Sequence, residues 1–86
     1  MDKTRLLSRL GSVDKYFKTP LVELVGCGRV LIENHTGVLA YSPEEITVRV
    51  NYGCLQISGE NMMLAEMSRE QLVITGQINC VYLHRR

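Results

Sequence analysis

The residues best suited to chemistry are Glu33 and His35, which lie on either side of Asn34. An imidazole near a carboxylate is a common catalytic element, and in an extended segment these two side chains could share a face. However, no Ser or Cys nucleophile lies beside them in a recognisable motif, and one histidine does not make a metal site. We therefore predict a turn in which His35 binds local backbone, with no catalytic or metal-binding role.

The cysteines at positions 27, 54 and 80 are the other potential nucleophiles or metal ligands. They form no C-x-x-C pair and lack closely spaced histidines, which argues against a zinc site. Neither Cys54 nor Cys80 has an evident base or helix N-terminus beside it to form a thiolate. We expect reduced cysteines that behave as small hydrophobic residues, which fits a reducing cytoplasm.

The two glycines that flank Cys27 only superficially resemble a phosphate-binding loop. G-x-G alone is a weak signal, and no predicted helix follows residues 26–28 to supply a dipole. We expect a bend or bulge between strands at this point, and we predict no cofactor.

Length and charge exclude several functional classes. The chain has 86 residues, which suits a single domain with one core. Ten Lys and Arg against nine Asp and Glu give a net charge of +1, so the composition does not indicate a nucleic-acid partner. No uninterrupted apolar run approaches the ~20 residues of a membrane-spanning helix. We expect a small soluble domain, to whose modest stability a homo-oligomer would add.

Residues 1–19 are predicted to form a basic amphipathic segment ahead of this domain. Apolar residues recur there at spacings of three and four, which is typical of a helix with one apolar stripe. Gly11 and Ser12 interrupt the pattern, so we predict a short helix near residues 2–10. Such a helix can cover the sheet, dock on a partner or contact a membrane surface peripherally through Lys3, Arg5 and Arg9. The stripe consists of Leu6, Leu7, Leu10, Val13 and Phe17.

After Pro20 the apolar period changes to two, so residues 20–86 are predicted to form a single β domain. Asn comes early and Gly late in segments 34–37 and 51–53, and we predict that both are hairpin turns. The predicted strands are 21–25, 29–33, 38–41, 46–50, 54–58, 62–66, 71–75 and 78–83.

A weak internal repeat runs through the strands. The pattern apolar-x-apolar-x-small at 55–59 returns 17 residues later at 72–76, and looser versions begin at Val38 and Val22. This period suits a meander of short antiparallel strands folded into a roll, or alternatively a small β-solenoid with stacked rungs. We favour the antiparallel roll, because Asn-x-Gly turns reverse the chain tightly. Structural glycines are predicted at Gly53, Gly59 and Gly76.

The last predicted strand has the features of an exposed sheet edge. It is apolar, lacks proline, and is followed by the charged end of the chain at residues 84–86. An outer strand presents unpaired N–H and C=O groups that pair with another chain unless they are blocked. We predict an interaction edge for β-augmentation or self-stacking at Ile78, Cys80 and Tyr82.

Three motifs give the chain a family resemblance. They are Ile32-Glu33-Asn34-His35 followed by Gly37, Gly53-x-Leu55-x-Ile57-x-Gly59, and Gln71-x-x-Ile74-x-Gly76-x-Ile78 leading to Val81-Tyr82-Leu83. With these motifs, residues 21–83 resemble the YabP/YqfC family of small sporulation proteins, and its YqfC branch more closely.

The resemblance implies a non-enzymatic protein that acts in spore morphogenesis in the mother cell of an endospore-forming bacterium. It implies a membrane-embedded partner similar to the sporulation protein YqfD, and a peripheral location on the mother-cell side of the membrane around the forespore. No cofactor comes with the family, and Glu33, Asn34, His35 and Gly37 carry over only as a signature turn. Two alternative hypotheses are that the protein is a self-assembling β scaffold subunit of the spore envelope, or that it is a small hydrolase that uses Glu33 and His35.

Overall fold

The structure is a computed structural model of the protein and describes residues 19–86, so the predicted N-terminal helix lies outside the described part. The described chain is all β. Its strands are β1 Leu21–Val25, β2 Arg29–Glu33, β3 Gly37–Tyr41, β4 Glu45–Val50, β5 Gly53–Met67 and β6 Gln71–Arg85. They form one six-stranded sheet in the order β1-β2-β6-β5-β4-β3, and all neighbouring strands are antiparallel. The antiparallel pairing agrees with the predicted antiparallel strands rather than with parallel solenoid rungs, but the order is that of a meander only from β3 to β6, because β2 lies beside β6.

The first four strands begin within one residue of their predicted positions, but β5 and β6 each merge two predicted strands. The predicted breaks near Gly59 and Gly76 bend the chain without reversing it. Two residues of β5, Asn61 and Met62, lie opposite the single residue Gly76 of β6, and this arrangement is a β-bulge. Asn61 has a φ of 52° there. A bulge kinks a strand while the ladder continues on either side. Eight predicted strands therefore become six.

The bend divides the sheet into two half-sheets. The first half-sheet contains β1, β2, residues 71–75 of β6 and residues 63–67 of β5. The second half-sheet contains β3, β4 and the β5 and β6 segments that pair on the other side of the bend. Each half-sheet has a hairpin that adds to one of the two long strands.

The 17-residue spacing in the sequence has a structural counterpart in these half-sheets. Each long strand donates two backbone hydrogen bonds to carbonyls in the turn of the hairpin that pairs with it. The donors and the acceptors occupy equivalent positions of the repeat in the two half-sheets. The donor–acceptor pairs are Gly76–Gly28 (3.2 Å), Ile78–Cys27 (2.8 Å), Gly59–Glu44 (3.0 Å) and Met62–Pro43 (2.9 Å).

The core lies on the inner faces of both half-sheets, as the period-two alternation requires. Eight of its members form four pairs, and the two residues of each pair occupy equivalent positions of the repeat, one in each half-sheet. Val50 and Met62 complete the cluster. The pairs are Val30 with Ile46, Ile32 with Val48, Leu72 with Leu55, and Ile74 with Ile57.

The two predicted hairpin turns have different outcomes. Residues 51–52 join β4 to β5 in a tight hairpin, since Val50 pairs with Gly53. The prediction for residues 34–37 is wrong, because β2 and β3 are not neighbours in the sheet. This segment crosses from the first half-sheet to the second, and long-range contacts rather than a local reversal fix its path.

Candidate functional site

His35 is at the centre of the crossover between β2 and β3. Its side chain is 7% exposed and is the one buried polar side chain among residues 19–86. The Nδ1 atom accepts a hydrogen bond from the Gly37 amide at 3.0 Å, and Nε2 lies 3.0 Å from the Ser68 carbonyl oxygen. Because Nδ1 accepts, the proton of the neutral ring is on Nε2, which donates to Ser68. The ring therefore connects the start of β3 to the loop between β5 and β6.

Asn34 turns the chain into this crossover. Its φ of 64° lies in the left-handed region, which Asn tolerates better than most residues. The Asn34 amide donates to the Glu70 carbonyl at 2.6 Å, and its Nδ2 donates to the Thr19 carbonyl at 2.9 Å. One residue thus binds both the start of the described chain and the loop before β6.

These contacts bear on the catalytic alternative for Glu33 and His35. Both ring nitrogens of His35 are bonded to backbone groups, so neither is available to take a proton from a substrate. Glu33 belongs to β2, where it pairs with Leu21 on one side and Gln71 on the other. The geometry assigns the ring a positioning role in the fold.

Three glycines lie where two backbones come too close for a side chain. A Cβ on Gly53 would overlap the His84 carbonyl oxygen, and one on Gly59 would overlap that of Gln77. At Gly76 a Cβ would lie 2.7 Å from the Asn61 carbonyl oxygen. The long β5–β6 hairpin is therefore closed by contacts that only glycine permits.

The comparisons with known proteins cover the crossover and both long strands. The model of the YabP family matches residues 18–86. The chain belongs to the YabP family. Within this YabP/YqfC family, the uncharacterized protein YqfC of Bacillus subtilis (strain 168) is 31% identical over 68 residues, which is 79% of this chain and 73% of that protein. No solved structure matches the chain significantly. Membership confirms the resemblance seen in the motifs and suggests a sporulation-related role.

The YabP-family chain presents an unpaired edge in the second part of β6. β2 pairs with β6 only along residues 71–75, so within residues 19–86 no strand covers the other side of residues 80–85. Of the three predicted edge residues, Cys80 and Tyr82 lie on this stretch and are exposed. The Ile78 amide instead donates to Cys27, and its side chain packs against the core.

The other edges of the sheet are shorter or interrupted. β1 and β3 have five residues each, and the β3 ladder has a bulge at Leu39. The edge formed by residues 63–67 has a bulge at Ala65. Residues 80–85 pair with β5 without a register shift, so their outer side is the longest regular edge of the described sheet. We name residues 80–85 the β6 edge.

The structure places the cysteines and His84 at exposed or half-buried positions. All three cysteines are free thiols. Cys54 is half-buried and Cys80 is exposed, so the expectation that these two behave as small core residues is wrong, and Cys27 is exposed in the turn between β1 and β2. Cys80 pairs with Ser58 on the outer face of the sheet. His84 belongs to β6, and its Nε2 lies 2.8 Å from the Gln56 Oε1 atom.

Within residues 19–86 there is neither a metal-binding cluster nor a membrane-spanning helix. Residues 19–86 contain no group of three or more His, Cys, Asp or Glu that could hold a metal ion. They also contain no helix of the length and apolarity needed to span a membrane.

Sequence reasoning missed the backbone partners of the crossover. Ser68 is 33 residues from His35, and Thr19 is 15 residues from Asn34. Carbonyl acceptors have no side-chain signature, so no pattern in the sequence could identify them.

Proposed function

We propose that this YabP-family domain is a non-enzymatic protein of spore morphogenesis in the mother cell. It binds a membrane-embedded partner similar to YqfD and lies at the membrane around the forespore. Family membership supports the sporulation role. The observation that carries the binding role is the β6 edge, because a regular unpaired strand can accept a strand from another protein.

The side chains of the β6 edge suit a protein partner. Tyr82 is 54% exposed on the outer face, and Leu83 is 49% exposed on the inner face. An incoming strand would satisfy the unpaired backbone groups and cover both apolar side chains. Tyrosine is enriched among the residues that dominate binding energy at protein interfaces. Main-chain pairing supplies affinity, and these two side chains supply selectivity.

The basic segment ahead of the domain supports the location. Lys3, Arg5 and Arg9 lie in a stretch with few acidic residues, and anionic lipid surfaces attract such segments. One basic segment binds a membrane weakly, so a protein partner provides the second attachment. A peripheral protein held by two weak attachments leaves the membrane when either one is lost.

Charging the β6 edge is expected to reduce recovery of the membrane partner. In tagged protein purified from sporulating cells in mild detergent, Tyr82→Lys should lower the co-purified partner by about tenfold or more, because a lysine opposes strand addition and removes an apolar contact. Mass spectrometry of the eluted proteins measures this change.

Tyr41→Lys is the matched control. Tyr41 is 52% exposed and lies on β3, an edge with a bulge. Partner recovery with this variant should equal that of the wild-type chain. Equal losses with both variants would mean that the β6 edge is not the binding site.

The same edge favours a second candidate function, a self-assembling scaffold subunit of the spore envelope. Two β6 edges could pair and bury Tyr82 and Leu83 against their copies. Light scattering on purified protein distinguishes the candidates. Large particles whose size falls with Tyr82→Lys would favour the scaffold, whereas a monomer at high concentration would exclude it.

A further inference from the structure

The outer faces of the two half-sheets differ although their inner faces match. Leu31 and Val73 are directly opposite each other on the outer face of the first half-sheet. The equivalent pair in the second half-sheet is Thr47 and Gln56. The two half-sheets therefore share their core pattern, but the outer face of the first has apolar residues where the second has polar ones. An apolar outer face indicates that something covers it.

The burial of Val73 also indicates a cover. Val73 is 3% exposed, yet it does not belong to the core cluster, whose neighbouring members Leu72 and Ile74 point to the other side of the sheet. Gln56, at the equivalent position, is only partly buried. A side chain on an uncovered sheet face stays partly accessible to solvent.

Charge identifies the occupant of this face. Glu23 lies opposite Leu31, and Glu66 lies opposite Val73, so carboxylates border the apolar pair on both sides. Residues 1–18 contain five of the ten Lys and Arg but two of the nine Asp and Glu, which gives them a net charge of +3 and leaves −2 for the rest. A basic segment with an apolar stripe complements an apolar strip bordered by glutamates.

The segment also starts at the right place and has the necessary reach. It joins the described chain at Thr19, whose carbonyl is held by Asn34 beside the first residue of β1. Four adjacent strands span about 15 Å at ~4.8 Å per strand. A helix over residues 2–10 is about 14 Å long, and residues 11–18 add further length. The segment can therefore cross the whole half-sheet from its point of attachment.

We infer that residues 2–17 cover the outer face of the first half-sheet, with their apolar stripe on Leu31 and Val73 and their basic residues near Glu23 and Glu66. The polar side of the segment then faces outward, where it stays available to an anionic membrane surface. Covering this face also removes an exposed apolar strip that would otherwise promote aggregation.

Methyl NMR on the full chain tests this contact directly. Nuclear Overhauser effects are expected between the Val73 methyl groups and those of Leu6, Leu7 or Leu10. In a sample that mixes labelled and unlabelled chains, the effects should arise within one molecule. Their absence, or their appearance only between molecules, would overturn the inference, the latter result assigning the face to a second copy.

A double-mutant cycle adds an energetic test. Leu10→Ala and Val73→Ala should each raise the equilibrium constant of unfolding. In the double variant, the rise in this constant should be smaller than the product of the two single effects by about twofold or more, as expected for residues in contact. In the matched cycle of Leu10→Ala with Gln56→Ala, the two effects on the equilibrium constant of unfolding should simply multiply. Equal results in the two cycles would contradict the placement of the segment.

Anionic phosphatidylglycerol vesicles test the competing occupant. If residues 2–17 cover the sheet as inferred, the methyl signals of Val73 should keep their contacts to the segment when vesicles bind the chain. Contacts that vanish at vesicle concentrations that saturate binding would show that the stripe belongs to the membrane, and would overturn the inference.

Discussion

Gly59→Ala is expected to lower the free energy of unfolding by about 3 kcal/mol or more, which is a large part of the ~4–13 kcal/mol available to a domain of this size. The new Cβ would overlap the carbonyl oxygen of Gln77 and lie 3.0 Å from its carbon. Both atoms belong to the backbone of β6, which cannot move without opening the long hairpin. Urea unfolding followed by circular dichroism measures the loss.

Gly28→Ala is the matched control for this steric effect. Its nearest contact would be the Gly76 carbonyl oxygen at 3.7 Å, an ordinary van der Waals distance. Alanine should change stability there by less than about 1 kcal/mol, because it also restricts the unfolded chain. If Gly59→Ala and Gly28→Ala unfolded at the same urea concentration, the close approach of β5 and β6 at Gly59 would be refuted.

His35→Ala is expected to lower the free energy of unfolding by about 2–4 kcal/mol. The substitution removes a buried ring and leaves the Gly37 amide and the Ser68 carbonyl without their bonds to the imidazole. The crossover would lose one of its two connections to the loop before β6 and keep the bond from the Asn34 amide to the Glu70 carbonyl. Thermal unfolding of purified protein measures the change, and ¹⁵N NMR of the wild-type ring should show the proton on Nε2.

Two conservative variants separate the hydrogen bonds of His35. His35→Asn places an acceptor near the Nδ1 position, and His35→Gln places a donor near the Nε2 position. Each should recover part of the stability lost with alanine. In sporulating cells, the effect of His35→Ala should follow the amount of folded protein. A variant that is as stable and abundant as wild type but fails in sporulation would instead favour the hydrolase hypothesis.

The strands could be predicted largely from alternation. β1 and β2 match their predicted ranges, because Val, Leu and Ile alternate there between turn residues. The merging of strands in β5 and β6 could not be predicted, since Gly59 and Gly76 look like turn residues in the sequence. Whether such a glycine reverses the chain or only bends it depends on the facing strand and on the bulge at Asn61.

The candidate site was predictable in composition but not in geometry. The E-N-H-x-G motif identified Asn34 and His35, and the inference that the His35 ring binds backbone required only the absence of catalytic partners. The role of this segment as the crossover between β2 and β3 depends on Ser68 and Glu70, which the sheet topology brings close to it. The β6 edge was similarly predicted too early at Ile78, because the amide of that residue is used by the turn of the first hairpin.

The location of the full-length protein in sporulating cells tests the central claim most directly. A fluorescently tagged chain should form a ring around the forespore on the mother-cell side, and the ring should disperse when the YqfD-like membrane protein is deleted. Diffuse fluorescence throughout the mother cell while that partner is present, at normal levels of intact protein, would contradict the account.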